Sequence, residues 1–425
     1  MVNTIKNERK VQVRSKINMA SVFSLMLLLS IYTCFYMIHL PRHISTPSYM
    51  GITINISLVG IIVLGISKNF KDKIFEFDNY IIYYILILAL EFFITCNNYP
   101  NISYVDIFKY IYSYLMIICY FVFSIYAQQD LRRFLKLIIY CADFAIIVIL
   151  LQAIVYNLSG IFFLNRAYFS DLSSFISTRS FGIRLIGSYL IDFTAIISIG
   201  LIFSKEKYVP KNILISNIFL TFLYQILSAQ TRSMQLILGL VILISFQFFN
   251  YKNSVIKIII RIITTIIIVY ICFQFLNEIN GSIMSRNDWS YYHRLDEMNF
   301  LWSAFKNHPI LGNGLIDENT LTSVYGVNNL NGMNFNLYYS DVGVIGLLAQ
   351  EGILGLSLYI WPLIYLLKKA IVDLKNRAVY IAMFVGILAS MLNLSLFDNP
   401  RLMILPIYFA VLDGITVLGR KNSKY

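Results

Sequence analysis

The sequence has few of the residues that soluble proteins place on their surfaces and in metal or disulfide sites. Only 13% of its 425 residues are charged, and it has 5 cysteines, 4 histidines and 8 prolines. A soluble domain is roughly 25% charged, so the composition excludes a soluble globular protein. No two cysteines have the C-x-x-C spacing of a zinc or redox site. We interpret the cysteines as small apolar residues within apolar segments.

Motifs of soluble enzymes are also missing from the sequence. It has no Walker P-loop, no G-x-G-x-x-G, no H-E-x-x-H and no G-x-S-x-G. ATP hydrolysis, dinucleotide chemistry, zinc proteolysis and serine hydrolysis therefore lack their required residues. The net charge of +12 would suggest nucleic acid in a soluble protein. In a membrane protein it points first to loops on the cytoplasmic side.

What the chain has in abundance is long apolar segments, since 58% of its residues are hydrophobic and 16% are aromatic. About 20 apolar residues are needed for a helix to cross the hydrocarbon layer. We therefore predict an all-α, polytopic membrane protein with twelve spans. The predicted spans are 17–39, 50–67, 80–96, 107–127, 135–157, 185–204, 212–229, 233–249, 254–276, 341–367, 378–396 and 402–418. The first is too long for a signal peptide, so we expect it to be retained. The pair 212–229 and 233–249 has a second interpretation, a re-entrant hairpin.

The distribution of lysine and arginine predicts the orientation. Of the 34 basic residues, 24 fall on one side of this topology, which the positive-inside rule assigns to the cytoplasm. Both termini are then cytoplasmic. Eight of the other ten are arginines, whose planar fork suits phosphate and carboxylate groups. Chance, together with pairing to external acids, is the alternative explanation for that excess.

We treat residues 1–425 as one membrane domain with two long external loops. One loop covers 159–183, and the other covers 277–340 between the ninth and tenth predicted helices. In the larger loop, apolar residues from Leu295 to Phe305 recur at near-helical spacing and predict a short surface helix. A run rich in asparagine follows them; it suits sugar hydroxyls or is simply a flexible turn region.

Two arginines lie at the ends of apolar segments, and the second of them has almost no loop around it. Arg184 precedes the sixth predicted span, and Arg232 lies between the seventh and eighth. A charge at membrane depth costs several kcal/mol unless it is paired or faces water, so both are functional candidates, with Asp192 as a possible partner of Arg184. The alternative is that both side chains reach to the interface.

The larger external loop adds further charged candidates. Arg294 and His308 lie in its helical segment and in the turn after it, and Asp341 opens the tenth predicted span. The histidine could titrate near neutral pH as an acid or base, or be an ordinary solvated side chain. The aspartate is either a helix N-cap or a carboxylate that faces the external cavity.

At these segments the sequence resembles the Wzy-type polysaccharide polymerases and the related O-antigen ligases. The resemblance rests on RLIGSYLID, on SAQTRS, and on the ordered set HPILGNGL, an Asn- and Tyr-rich stretch, and SDVGVIGLLAQEGILGL. It covers the whole topology but motif detail only at about 179–195, 228–234 and 293–356. It implies a GT-C-like glycosyltransferase that acts outside the cytoplasm on undecaprenyl-diphosphate-linked oligosaccharides, as both donor and acceptor.

The resemblance also implies roles for individual residues. The leaving diphosphate needs preorganised cations, and Arg184, Arg232 and Arg294 are the candidates. Ligases have a histidine near the start of the helix that bears the E-G-x-x-G segment, whereas this chain has Ser340 and Asp341 there. Asp341 is therefore the first candidate for the base and His308 the second. The expected sugar contacts are Asn334, Asn336 and Tyr338.

The departure from the ligase pattern favours a polymerase. We expect no cofactor, no metal and no nucleic acid, and we expect a chain-length regulator and a flippase as possible protein partners. The two alternatives are an O-antigen-ligase-like transferase and a lipid-linked oligosaccharide flippase. Many transporters have two similar halves, and we find no repeat between 1–204 and 212–425, which favours an enzyme.

Overall fold

The computed structural model of the protein describes most of the chain. It covers residues 18–34, 49–66, 73–164, 177–179, 182–248, 255, 258–259, 261–267, 289–317, 320, 337–339, 342–391, 396 and 401–422.

Helices dominate this described part of the chain. In order they are α1 (Met19–Ile31), α2 (Tyr49–Ile66), α3 (Asp78–Asn98), α4 (Tyr104–Ser113), α5 (Cys119–Gln129), α6 (Leu131–Ser159), α7 (Leu190–Phe203), α8 (Lys211–Tyr224), α9 (Arg232–Phe246), α10 (Trp289–Asn307), α11 (Val344–Val372), α12 (Arg377–Ser390) and α13 (Ile404–Asn422). A 3-10 turn, Tyr114–Ile118, joins α4 to α5, and a π-helical turn, Gln225–Ala229, extends α8. A short antiparallel hairpin, β1 (Ser177–Arg179) and β2 (Gly182–Arg184), precedes α7.

Five helical segments of the described chain are long and apolar enough to cross a membrane. They are Asp78–Asn98, Tyr104–Gln129, Leu131–Ser159, Lys211–Ala229 and Val344–Val372. Five shorter apolar helices accompany them. The structure thus supports the coarser prediction of a helical membrane protein, while the count of twelve spans and the GT-C likeness stay predictions.

The centre of the bundle is formed by α7 and α13. Nearly every residue of α7 is buried, and α13 is buried from Ile404 to Ile415. The first packs against α12 and the second against α5. A helix that is apolar on all sides suits a place where lipid or other helices cover every side, and for these two helices other helices supply most of that cover. Peripheral helices instead expose large apolar side chains, such as Phe93 and Leu86 of α3.

Loops predicted to be cytoplasmic meet at one end of the bundle. Glu76, just before α3, forms ion pairs with Lys369 of α11 at 3.0 Å and with Arg420 of α13 at 3.1 Å. Glu206, between α7 and α8, pairs with Lys375, between α11 and α12, at 3.2 Å. We call these five residues the basic end. Their meeting agrees with loops that alternate between two sides, and the side that this end faces stays a prediction.

The described parts of the two long loops lie at the opposite end, which we call the loop end. Asn98, at the end of α3, donates from Nδ2 to the carbonyl of Asn313 at 3.1 Å. Near the end of α6, Asn157 Oδ1 accepts from the amide of Ile183 at 3.0 Å. These contacts fasten one loop to α3 and the other to α6.

The sixth and tenth predicted spans differ from the structure. The span predicted over 185–204 starts only at Leu190, because the amide of Leu185 donates to the carbonyl of Ser228 and that of Gly187 to the Tyr224 hydroxyl. The span predicted over 341–367 extends to Val372 and is broken at Gly352. The structure describes only part of the ninth predicted span, residues 255, 258–259 and 261–267, and this part is helical. In the larger loop, α10 occupies the region where apolar spacing predicted a helix.

Candidate functional site

The two arginine-bearing segments of the sequence meet at the loop end. The amide of Leu185 donates to the carbonyl of Ser228 at 3.1 Å, and the Ser228 hydroxyl donates back to the Leu185 carbonyl at 2.9 Å. These reciprocal bonds fasten the RLIGSYLID segment to SAQTRS. We call this contact the arginine junction; it consists of residues 184–192, 225–232 and Arg401.

Both candidate arginines belong to the junction. Arg184 is half-buried on β2 and donates from Nε to the carbonyl of Ala229 at 3.0 Å. Arg232 lies three residues after Ala229 and is the first residue of α9, where its side chain is exposed. Between Ala229 and Arg232, Gln230 has a left-handed conformation with φ of 49°, which turns the chain sharply from α8 into α9. A left-handed non-glycine residue is uncommon and is often found at functional sites.

Asp192 of α7 is hydrogen-bonded to the π-helical turn of the junction. It is 3% exposed, and its Oδ1 accepts a hydrogen bond of 2.6 Å from Nε2 of Gln225. Gln225 opens the π-helical turn, and its carbonyl accepts from Nε2 of Gln235 in α9 at 2.9 Å. The sequence suggested Asp192 as a partner of Arg184; the structure bonds it to this glutamine. Single π turns inside helices are frequent at functional sites.

A third arginine, which the sequence analysis did not select as a site residue, belongs to the junction. Arg401, just before α13, is 3% exposed, and its guanidinium carbon lies 4.3 Å from the centre of the Tyr189 ring. A cation over an aromatic face is attracted by the ring quadrupole. Tyr189 directly precedes α7, so this contact brings the C-terminal part of the chain to the junction. In the sequence, the signal that could have selected Arg401 is its position between two apolar segments.

A second structured region involves the glycine-rich segment 308–315, which inserts at the break in α11. The amides of Ile353 and Leu354 donate to the carbonyls of Pro309 and Ile310, at 2.9 and 3.2 Å. The insert donates in return: the amide of Asn313 bonds the Ala349 carbonyl at 2.9 Å. The backbone groups exposed by the break are thereby satisfied, as a membrane interior requires.

Glycine is required on both sides of this contact. Gly312 and Gly352 have φ of 66° and 64°. A Cβ on Gly352 would lie 2.4 Å from the Ile310 carbonyl oxygen, and one on Gly312 would lie 2.1 Å from the Gln350 oxygen. The atoms that would be struck belong to the backbone and cannot rotate away. HPILGNGL and QEGILGL, separate in the sequence, therefore form one structural unit, which we call the glycine lock.

The glycine lock holds α10 in place. Asn313 donates from Nδ2 to the carbonyls of Ala304, at 3.1 Å, and Ala349, at 2.9 Å. This asparagine is thus a structural link between α10 and α11. His308 lies in the turn after α10 and is exposed.

The remaining candidates lie on or beside α10. Arg294 is exposed. One turn further along, Glu297 is 1% exposed, and its Oε1 accepts from the amide of Tyr338 at 3.3 Å. Tyr338 is half-buried, and this bond to α10 comes from its backbone amide. Asp341, Asn334 and Asn336 lie outside the described residues.

The structure thus brings Arg184 and Arg232 to one junction and places Arg294, His308 and Tyr338 around α10. The sequence matches no model of a known protein family, and no curated protein is similar to it in sequence.

Proposed function

We propose that the protein is a Wzy-type polysaccharide polymerase, a membrane glycosyltransferase that joins undecaprenyl-diphosphate-linked oligosaccharide repeat units. The observation that supports this most is the arginine junction. Arg184 and the carbonyl that it binds are 45 residues apart in the chain, yet two reciprocal hydrogen bonds between Leu185 and Ser228 hold the two segments together. A leaving diphosphate needs several cations in a fixed arrangement.

The exposed arginines favour an anionic substrate. Neither Arg232 nor Arg294 forms an ion pair with another described residue. A long arginine side chain that needs no internal partner is available for phosphate oxygens, which match its planar fork. In the proposed complex, Arg184 and Arg232 bind the diphosphate from the junction, and Arg294 binds it from α10.

The proposed reaction transfers a glycosyl group between two lipid-linked chains. A hydroxyl oxygen of the acceptor attacks the anomeric carbon of the donor, and the bond from that carbon to the diphosphate oxygen breaks. The hydroxyl proton passes to a base, Asp341 first or His308, and undecaprenyl diphosphate leaves as the anion. A correctly placed base contributes roughly 10²–10⁴-fold. Asn334, Asn336 and Tyr338 contact the sugars in this proposal.

The proposal includes the finer topology. We infer twelve spans in a GT-C-like arrangement, with both termini at the basic end in the cytoplasm and the loop end outside. Support comes from the alternation of loops between the two ends and from the lysine-rich composition of the loops predicted to be cytoplasmic. A chain-length regulator and a flippase are the proposed protein partners.

The deciding experiment is polymerisation by the purified, full-length protein. The protein is reconstituted with synthetic undecaprenyl-diphosphate repeat units, without nucleotide or added metal, and the product is separated by length. We expect a ladder of multiples of the repeat unit. Movement of the lipid-linked units across the bilayer without any ladder would identify a flippase instead. Transfer of a preformed chain to a different acceptor, with no elongation, would identify a ligase.

Arginine variants test the proposed diphosphate contact. Removing one preorganised donor costs roughly 10²–10³-fold in rate, so we expect that loss for Arg232→Ala and for Arg294→Ala. Arg294→Lys should be impaired nearly as much, because lysine keeps the charge but not the bidentate geometry. Arg133→Ala is the matched control: this exposed arginine pairs with Asp130 at 3.1 Å, away from the loop end. Full activity of Arg294→Lys would refute the proposed bidentate contact.

A further inference from the structure

A chain of polar side chains connects α7 to α9 through the π-helical turn of the arginine junction. Asp192, in the first turn of α7, accepts at Oδ1 a hydrogen bond of 2.6 Å from Nε2 of Gln225, the first residue of the π turn. The carbonyl of Gln225 accepts in turn from Nε2 of Gln235 at 2.9 Å. Gln235 lies three residues after Arg232 in α9. Two glutamines therefore join the aspartate of α7 to the helix that begins at Arg232.

The aspartate and the first glutamine are polar groups buried among apolar helices. Gln225 is 1% exposed and Asp192 is 3% exposed. None of the ion pairs between described residues includes Asp192, and burying a carboxylate is costly. Two apolar side chains of the same shape can be as stable as a buried polar pair, so stability alone does not account for it. What a hydrogen bond adds is direction, which fixes the turn in one orientation.

The other end of the same turn contacts both arginine-bearing segments. The carbonyl of Ala229, the last residue of the π turn, accepts from Nε of Arg184 at 3.0 Å and from the hydroxyl of Thr231 at 3.2 Å. Thr231 directly precedes Arg232, and its own carbonyl accepts from the amide of Gln235 at 3.2 Å. A shift of the turn would therefore move the Arg184 contact and the start of α9 together.

We propose that Asp192, Gln225 and Gln235 are positioning residues of the arginine junction. They fix the start of α9, and with it Arg232, relative to Arg184, and none of the three contacts the substrate. The inference rests on the proposed function, because it assumes that both arginines bind one diphosphate. Cations stabilise a developing charge best when they are in place before the reaction, and a misplacement of about 1 Å can lower the rate roughly 10²-fold.

Gln235→Leu and Gln225→Met each remove one amide donor from this chain. In the reconstituted, full-length protein we expect kcat for ladder formation to fall by about 10²-fold for each variant. KM should change little, because the lost interaction acts mainly in the transition state. Gln128→Leu is the matched control: Nε2 of Gln128 also donates to a backbone carbonyl, that of Ile74 at 2.6 Å, but beside Glu76 of the basic end. This control should keep the wild-type kcat.

Coupling to Arg232 separates positioning from a general loss of stability. In an Arg232→Ala background no guanidinium is left to position, so Gln235→Leu should lower kcat no further. In an Arg294→Ala background the loss should persist in full, because Arg294 lies on α10, outside the junction. Equal losses in the two backgrounds would overturn the inference.

Two substitutions at Asp192 test how the aspartate acts. Asp192→Asn keeps an oxygen that accepts from Gln225 and should retain most of the activity. Asp192→Leu removes that acceptor and should resemble Gln225→Met. If the asparagine variant is as inactive as the leucine variant, the charge of the aspartate is itself required and the positioning role is wrong.

A binding measurement decides the inference even if the wild-type protein forms no ladder, a result that would refute the proposed function. Inorganic pyrophosphate carries the charge that develops on the leaving group, and its binding to the purified protein is measured by calorimetry. Gln235→Leu should weaken this binding in the wild-type background but not in the Arg232→Ala background. Binding that Gln235→Leu leaves unchanged, or no binding by the wild type, would overturn the positioning role.

Discussion

Replacing Gly352 by alanine should weaken the whole loop end. With φ of 64° and ψ of −158°, Gly352 has a conformation that is nearly exclusive to glycine, and forcing another residue into it costs about 1–3 kcal/mol. The new methyl group would also lie 2.4 Å from the carbonyl oxygen of Ile310 and 2.6 Å from the amide nitrogen of Gly312. Since both atoms belong to the backbone, the inserted segment must move away.

That movement has its own cost. It breaks the bonds from Ile353 to Pro309 and from Leu354 to Ile310, each of which contributes about 1 kcal/mol. We expect the Gly352→Ala variant to lose about 3 kcal/mol or more of stability.

The measurement is the apparent melting temperature of the purified protein in detergent, followed by tryptophan fluorescence. Gly239→Ala is the matched control, because a Cβ at that position in α9 meets no atom within 4 Å. Alanine in a helix interior is more favourable than glycine by about 0.5–1 kcal/mol, so the control should melt at or slightly above the wild-type temperature. Equal melting temperatures for the two variants would refute the proposed role of the glycine lock.

Two further predictions concern stability at the two ends of the bundle. Glu76→Gln removes the carboxylate that binds two cations at the basic end; we expect a loss of about 1–2 kcal/mol that shrinks in high salt, measured as the melting temperature at two salt concentrations. Asn313→Ala removes two hydrogen bonds, to the carbonyls of Ala304 and Ala349, from a residue that is 7% exposed. We expect it to lower stability by about 2–3 kcal/mol, and unchanged melting together with lost polymerisation would instead indicate a sugar contact.

Composition and the length of apolar runs predicted the helices well, because each helix in a membrane must itself be largely apolar, whatever its neighbours are. A segment that faces lipid or other helices on every side must be largely apolar. Over most of their predicted length α6 and α8 are so, and the polar Asn217 of α8 donates to Asp143 of α6 at 2.7 Å. The same signal failed where backbone geometry changes without a change in composition. Around Gly352 only Gln350 and Glu351 interrupt the apolar run, so hydropathy alone predicts one continuous span there.

The arginine candidates show a similar division. Their position at the ends of apolar segments was enough to select Arg184 and Arg232, since charge at membrane depth is rare. Their meeting depends on a π-helical turn and on bonds between backbone groups, which residue types do not encode directly. For the same reason the sequence paired Asp192 with an arginine, whereas the structure places the amide of Gln225 against it.

The two motif segments of the glycine lock, HPILGNGL and QEGILGL, say little about structure when each is taken alone, but they form one contact in the structure. In the sequence, the glycines of HPILGNGL indicate a chain reversal, and those of QEGILGL are small residues in an apolar helix. In the structure, the interruption in the helix exposes backbone groups that the reversal satisfies, and each glycine leaves space for the other segment's backbone. A substitution in either segment therefore acts on both. Chains with this architecture should keep the two sets of glycines together or lose them together.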